Sequence, residues 1–415
     1  KGVGPFQYAR DETDSQWRAE DAAGPELSEI RYGQDGHADT RPTTRLGVTD
    51  YGANFDRFLK DRPKGAPFFF WYGGTEPHRR YEEGSWKRTD KKLSDVVVPG
   101  FLPDSEVIRG DLLDYALEIE WFDLHLMRML RALDEIGELE NTIVIVTADN
   151  GMPFPRAKAN CFDYGVRVPL AIRYPKTFPG GRVVDDPARF IDFAPTILEL
   201  AQTTPSEMLP MSGQSFVSAL RSNESGSNVL KNEYAFSGRE RHSSSRHMNW
   251  GYPQRAIRSQ RHLLIWNAKP DRWPAGAPQR IDPENPEKLL PPNGLDKAGV
   301  HVSEWAFTDI DASPSKSYLV ERYNKSDESR RFFELAVGKR PDFELYDVAA
   351  DPYCLSNLAG VAKYAKVETE LKKALFAELE RTEDPRIVGP DSEVFDSYLR
   401  YSPMREFPSP DLSDW

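Results

Sequence analysis

Cysteine is nearly absent. Cys161 and Cys354 are the only two in 415 residues, too few for a disulfide framework, and they leave the redox compartment open. No apolar run approaches the roughly 20 residues that a membrane-spanning helix needs, so no membrane span is expected. Cationic side chains are outnumbered, with 54 Lys and Arg against 66 Asp and Glu for a net charge of −12. That balance excludes a general nucleic-acid binder and still leaves room for a local basic pocket that takes an anion. No internal repeat is present. What remains is the composition of a soluble globular protein, 39% hydrophobic and 29% charged. Its length suffices for a large core and suggests two domains.

The stretch Thr142–Pro169 (TIVIVTADNGMPFPRAKANCFDYGVRVP) organises the chain. Ile143, Val144, Ile145 and Val146 form a short continuous β-branched run, which predicts a strand buried on both faces. The run stops at Asp149-Asn150-Gly151. Sites in open α/β sheets form just beyond the carboxyl ends of strands. A carboxylate beside a carboxamide there offers hard oxygen donors suited to calcium or magnesium, although the same tripeptide is common in plain turns. Lys158, a few residues on, could meet an anion held on such a cation.

The rest of the chain supplies the setting. It opens on Lys1-Gly2-Val3-Gly4-Pro5, without an initiator Met, a signal peptide or a first strand–helix unit, and reads as the downstream part of a longer protein. Tyr51–Leu59 can form a short amphipathic helix. Ala66–Tyr72 (APFFFWY) predicts a second buried strand, dense in aromatics. It ends at Gly73-Gly74, followed by Thr75-Glu76-Pro77-His78, and His78 could donate to an anion or act as a general acid. Asp104 is the expected N-cap of a long helix reaching about Ile136, with Gly137 at its C′ position. Strand, helix and strand in that order predict a right-handed crossover. Leu170–Tyr174 predicts a strand, and Asp192–Ala201 a helix with Pro195 in its first turn. After about residue 230, short strands replace this pattern: a hairpin around Ser259-Gln260, a strand at Phe343–Tyr346, and a helix carrying Val367, Leu371, Leu375 and Leu379.

Four blocks resemble the sulfatases of the alkaline phosphatase superfamily: Pro67–Tyr81 (PFFFWYGGTEPHRRY), Thr142–Pro169, Arg189–Leu200 (RFIDFAPTILEL) and Phe343–Leu358 (FELYDVAADPYCLSNL). Asp149–Pro155 (DNGMPFP), Glu76-Pro77-His78-Arg79 and Gly251–Arg258 (GYPQRAIR) are most similar to the heparan N-sulfatase-like branch and its bacterial relatives. The resemblance implies an α/β fold with a mostly parallel central sheet flanked by helices. It also implies a smaller C-terminal domain of antiparallel sheet plus helix. The boundary is expected at residues 230/231, with 1–230 catalytic and 231–415 contributing to the substrate pocket.

The resemblance further implies a sulfatase that cleaves O- or N-sulfate from sulfated sugars with one calcium ion. Asp149 and Asn150 would be metal ligands. Lys158, His78 and Lys1 would meet the sulfate, His78 close to the leaving group. The family nucleophile is a formylglycine made in a Cys/Ser-x-Pro/Ala-x-Arg motif, and no such motif occurs in residues 1–415. The resemblance therefore makes an upstream N-terminal segment an expected partner, and implies a periplasmic or secreted protein. Two other readings stay open, a phosphatase or phosphonate monoester hydrolase of the same superfamily and a non-catalytic glycan-binding remnant. Two-zinc phosphatases need imidazole ligands, and this chain has Asn150 at the key position and 7 His in all. Finally, Ser237–Pro253 (SGRERHSSSRHMNWGYP) concentrates Arg239, Arg241, His242, Arg246 and His247. Arg239, Arg241, His242 and His247 are the candidate contacts for the acidic groups of a sugar.

Overall fold

The computed structural model describes residues 27–204, 208–398 and 404–412. Two compact units emerge, one made of residues 1–96 with 109–142, the other of 97–108 with 143–415. The boundary expected at residue 230 falls inside the second unit.

The first unit is built on two helices. Asp50 caps α1 (Tyr51–Asp61), its carboxylate accepting from the Ala53 N–H at 2.9 Å. Helix α2 (Glu106–Glu135) buries Leu117, Trp121, His125, Met129 and Leu133, one residue every turn. It stops in a Schellman turn: Gly137 has φ of 73°, Gly137 N–H donates to Asp134 O, and Glu138 N–H donates to Leu133 O. Leu124 and Met127 lie off that stripe and are exposed. Residues 66–72 were expected to be a buried strand. Among the described residues they have no ladder partner, and Phe68, Phe70 and Tyr72 pack on Phe55, Met129 and Leu133. Phe69 and Trp71 point the other way and stay 70% and 67% exposed. The alternation is that of a strand with one covered face, which the unbroken apolar run concealed.

In the second unit β1 (Val144–Thr147) pairs antiparallel with β2 (Leu170–Arg173), Val144 opposite Arg173 and Thr147 opposite Leu170. Among the described residues every ladder is antiparallel, and the one parallel pairing is an isolated bridge between Val184 and Gly226. β1 takes its neighbour from the strand that follows it, and residues 66–72 belong to the other unit. A short helix, α3 (Asp163–Val166), lies in the connection between them. Helices α4 (Phe193–Leu200) and α5 (Val217–Arg221) follow β2.

The expected C-terminal antiparallel sheet is present. Strands β3 (Ala235–Arg239), β4 (Gln254–Arg258) and β5 (His262–Asn267) are joined by a later strand in the order β3-β4-β5-β8. Between β5 and β8 (Phe343–Asp347) come the small hairpin β6 (Ile281–Asp282) and β7 (Asn285–Leu289), and helices α6 (Pro314–Arg322) and α7 (Asp327–Val337). The sheet is covered on both sides because its residues alternate. Ile257, Leu264 and Leu345 meet Leu371, Leu375 and Leu379 of α8 (Ala365–Arg381). Ala256, Leu263, Ile265 and Tyr346 meet Cys161, Phe162 and Cys354. Burying each Leu stabilises by about 1.5–3 kcal/mol. Cys161 and Phe162 thereby fasten to this sheet the loop that carries Lys158.

Candidate active site

Asp149 and Asn150 sit two and three residues beyond the end of β1, as the sequence pattern requires. Asp149 is exposed, and the Asn150 amide donates to Gly151 O at 2.8 Å, a bond that does not use its side-chain oxygen. The turn closes on itself. Gly151 N–H donates to Gly165 O at 2.9 Å, and Lys158 N–H reaches back to Met152 O at 3.1 Å. Arg156 and Ala159, flanking Lys158, have positive φ of 66° and 62°, a conformation that non-glycine residues hold only where the surroundings enforce it. The enforcement is visible at Arg156. Its guanidinium lies over the Phe162 ring and donates to Leu335 O at 2.9 Å and Cys354 O at 2.6 Å.

Lys158 points into a charged cluster that none of the sequence motifs announced. Its ammonium contacts Asp311 at 2.8 Å and is almost enclosed. Asp309, two residues earlier and 3% exposed, accepts from Arg239 at 3.0 Å, Arg246 at 2.6 Å, and both the amide and hydroxyl of Ser243. Arg239 also donates to Pro274 O at 2.9 Å and to Ala159 O, the carbonyl next to Lys158. Burial would push the Asp309 carboxyl up, but Arg246 and Arg239 outweigh it and hold the group below the usual carboxylate range. Burial lowers Arg239 to about 10, against the attraction of Asp309, which leaves it charged. His242 feels Asp309, Lys158, Asp311 and Arg239 together, and burial pulls its pKa below the ordinary imidazole value, so it is neutral near pH 7.

Three of the expected site residues, Lys158, Arg239 and His242, therefore meet around two carboxylates that sequence reasoning missed. Arg239 reaches the cluster with its guanidinium already engaged by Ala159, Pro274 and Asp309. Arg241 and His247 turn elsewhere. Arg241 donates to Phe395 O at 3.1 Å and Tyr398 O at 3.3 Å. His247 stands edge-on to Trp250, with Nδ1 3.3 Å from Phe407 O. Lys1 lies outside the described residues.

His78 belongs to the first unit. Its loop is anchored by Arg79, which makes two parallel bonds to Asp111 of 2.7 and 2.8 Å and stacks on Tyr81. The His78 Nδ1 donates to Arg79 O at 2.6 Å. That bond fixes the proton on Nδ1, so Nε2 has a proton to give only when the ring is an imidazolium.

The oxygen donors at Asp149 and Asn150 fit calcium, a hard cation that takes six to eight oxygens. Among the described residues no group of three or more His, Cys, Asp or Glu could hold a metal, so the pair would supply two ligands of a larger set.

Comparison with known proteins gives the family and the fold. Residues 29–203 match the sulfatase family model, and residues 157–285 match the model for the C-terminal region of N-sulphoglucosamine sulphohydrolase. The chain belongs to the sulfatase family. It is 25% identical over 307 residues to an ulvan-active sulfatase of Formosa agariphila, covering 73% of this chain and 44% of that protein. It is 25% identical over 308 residues to human N-sulphoglucosamine sulphohydrolase, covering 72% and 53%. This sulfatase-family chain thus spans about half the length of the relatives it matches. Among solved structures, it superposes on a Bacteroides thetaiotaomicron protein of glycosaminoglycan metabolism with a TM-score of 0.54 and 17% identity, covering 85% of this chain and 63% of the other. A Bacteroides fragilis protein assigned as a sulfatase gives 0.51 and 14%, covering 84% and 60%. The fold is accordingly the alkaline-phosphatase-like fold of sulfatases. No helix among the described residues is long and apolar enough to cross a membrane.

Proposed function

We propose that the protein to which this chain belongs hydrolyses sulfate esters or N-sulfates of sulfated sugars. The observation that carries the reading is the meeting of Lys158 with Arg239 and His242 at the loop that begins with Asp149 and Asn150, inside a sulfatase-family chain. A relative named for ulvan and another named for N-sulphoglucosamine support a sulfated carbohydrate as substrate.

In this reading Lys158 places its ammonium against a sulfate oxygen, where fixed positive charge stabilises the negative charge dispersed on the group as the bond to sulfur breaks. The His78 imidazolium gives its Nε2 proton to the leaving oxygen. Arg239 steadies the carbonyl beside Lys158, and His242 lies where the neighbouring sugar or a second acidic group would stand. Residues 231–415 act as the subdomain that completes the substrate pocket of the catalytic part, 1–230. Asp149 and Asn150 would hold calcium, which when bound neutralises part of the sulfate charge. A formylglycine nucleophile belongs to the same proposal, as does a periplasmic or secreted location.

The test is turnover of an aryl sulfate and a sulfated glycan by the full-length enzyme. Lys158→Ala and His78→Ala should each lower turnover by about 10²–10³ and leave the melting temperature near that of the parent. Asp149→Ala should empty the calcium site by metal analysis. Near-normal turnover in both charge variants would remove the proposal.

A further inference from the structure

Asp311 lies beyond the reach of both family matches, which end at residues 203 and 285. Its loop is nevertheless built firmly. The fully buried Lys316 donates to Ser303 O, Ala306 O and Ile310 O at 3.1–3.2 Å, tying residues 303–310 together. Ser313 then caps α6 by accepting from Lys316 N–H at 3.1 Å. Asp311 sits between these two anchors, 23% exposed at its side chain, with its Oδ2 on Lys158.

Charge is the informative quantity here. Lys158, Arg239 and Arg246 face Asp309 and Asp311. Among these five groups the positive charges exceed the negative ones by one. A sulfate ester carries one negative charge, whereas a phosphate monoester carries nearly two above its second pKa of about 6. An ammonium has three donors, so Lys158 can keep Asp311 and still meet an oxyanion. An anion bound there feels the Asp311 carboxylate, and the repulsion scales with the anion's own charge.

We propose that Asp311 is a specificity-determining residue that favours singly charged sulfate groups over doubly charged phosphate groups at Lys158. The proposal rests on the reading that Lys158 meets the scissile anion, and it names the group that lowers that site's preference for the more highly charged ester. Discrimination of this kind is a difference of affinities set by a repulsive element.

The experiment compares nitrophenyl sulfate with nitrophenyl phosphate at about pH 8, where the phosphate is a dianion. Binding to this chain is read by titration calorimetry, and kcat/KM is read in the full-length enzyme. Asp311→Asn removes the charge and keeps an oxygen for Lys158. It should shift both ratios toward phosphate by about tenfold, the size expected for one extra unit of charge across a partly screened distance. Asp311→Glu restores the charge and should return the parent ratio. If Asp311→Asn changes both esters alike, or leaves the ratios untouched, Asp311 is only a support and the proposal is overturned. Lys158→Ala separates the two levels of the argument. Loss of nitrophenyl sulfate binding in that variant upholds the underlying reading, so an unmoved ratio then refutes the Asp311 step alone. Undiminished binding refutes both.

Discussion

Glu118 is 3% exposed on α2. Burial, then the nearby charges of Glu76 and Asp114, push its carboxyl up to about 8 from an ordinary 4.5, against the pull of Arg79. In the unfolded chain the same group loses its proton near 4.5. Between 4.5 and about 8 the folded state therefore holds more protons, and stability falls as pH rises through that window. Glu118→Gln should melt higher than the parent near the top of this window and match it near the bottom. Equal melting temperatures at both ends would mean the carboxyl is not perturbed by its surroundings. Legibility at this scale followed sequence distance. The place of Asp149 and Asn150 just past a strand could be read because they end an apolar run. Asp309 and Asp311 could not, because their partners Arg239 and Lys158 lie 70 and 153 residues away, and no local pattern encodes such a pairing. Arg239, Arg241 and His247 stood out as a local excess of cations. The sequence showed their charge and not the distant carboxylate and carbonyls that take up the guanidinium of Arg239.

The loop from Asp149 to Gly165 depends on two glycines for close backbone approach. A Cβ on Gly165 would stand 2.3 Å from Asn160 O and 2.4 Å from Ala157 O, and one on Gly151 would stand 1.9 Å from Tyr164 O. These neighbours are backbone atoms, so the loop itself would have to move. Gly165→Ala should displace Lys158 and cut turnover by about 10², while the sheet of β3, β4, β5 and β8 keeps its α8 packing and the far-ultraviolet spectrum is unchanged. Parent-like activity would show that the loop tolerates the shift. By contrast Leu375→Ala, inside that packing, should cost about 2–5 kcal/mol. The helices and the β4–β5 hairpin were legible because period and turn residues are local. The one-sided cover of residues 66–72 was not, because an apolar run reads alike whether one face or both are covered.

At the scale of the whole molecule, the chain is strongly acidic and yet is proposed to take a polyanionic sugar. A net charge of −12 repels such a glycan at long range, and the cationic groups around Lys158 are partly neutralised by Asp309 and Asp311. Attraction is then local and repulsion is global. Salt weakens the second first, because the screening length falls to about 10 Å at 0.1 M. Binding of a sulfated oligosaccharide to this chain should therefore tighten as salt rises from about 0.01 to 0.1 M and weaken only beyond that. A small aryl sulfate, with one charge, should show little of the early rise. Titrations of both ligands across this range would check it. A glycan affinity that falls steadily from the lowest salt would mean that a cationic surface steers the substrate from a distance, and that the stretch from Ser237 to Pro253 acts as an outer face as well as an inner support.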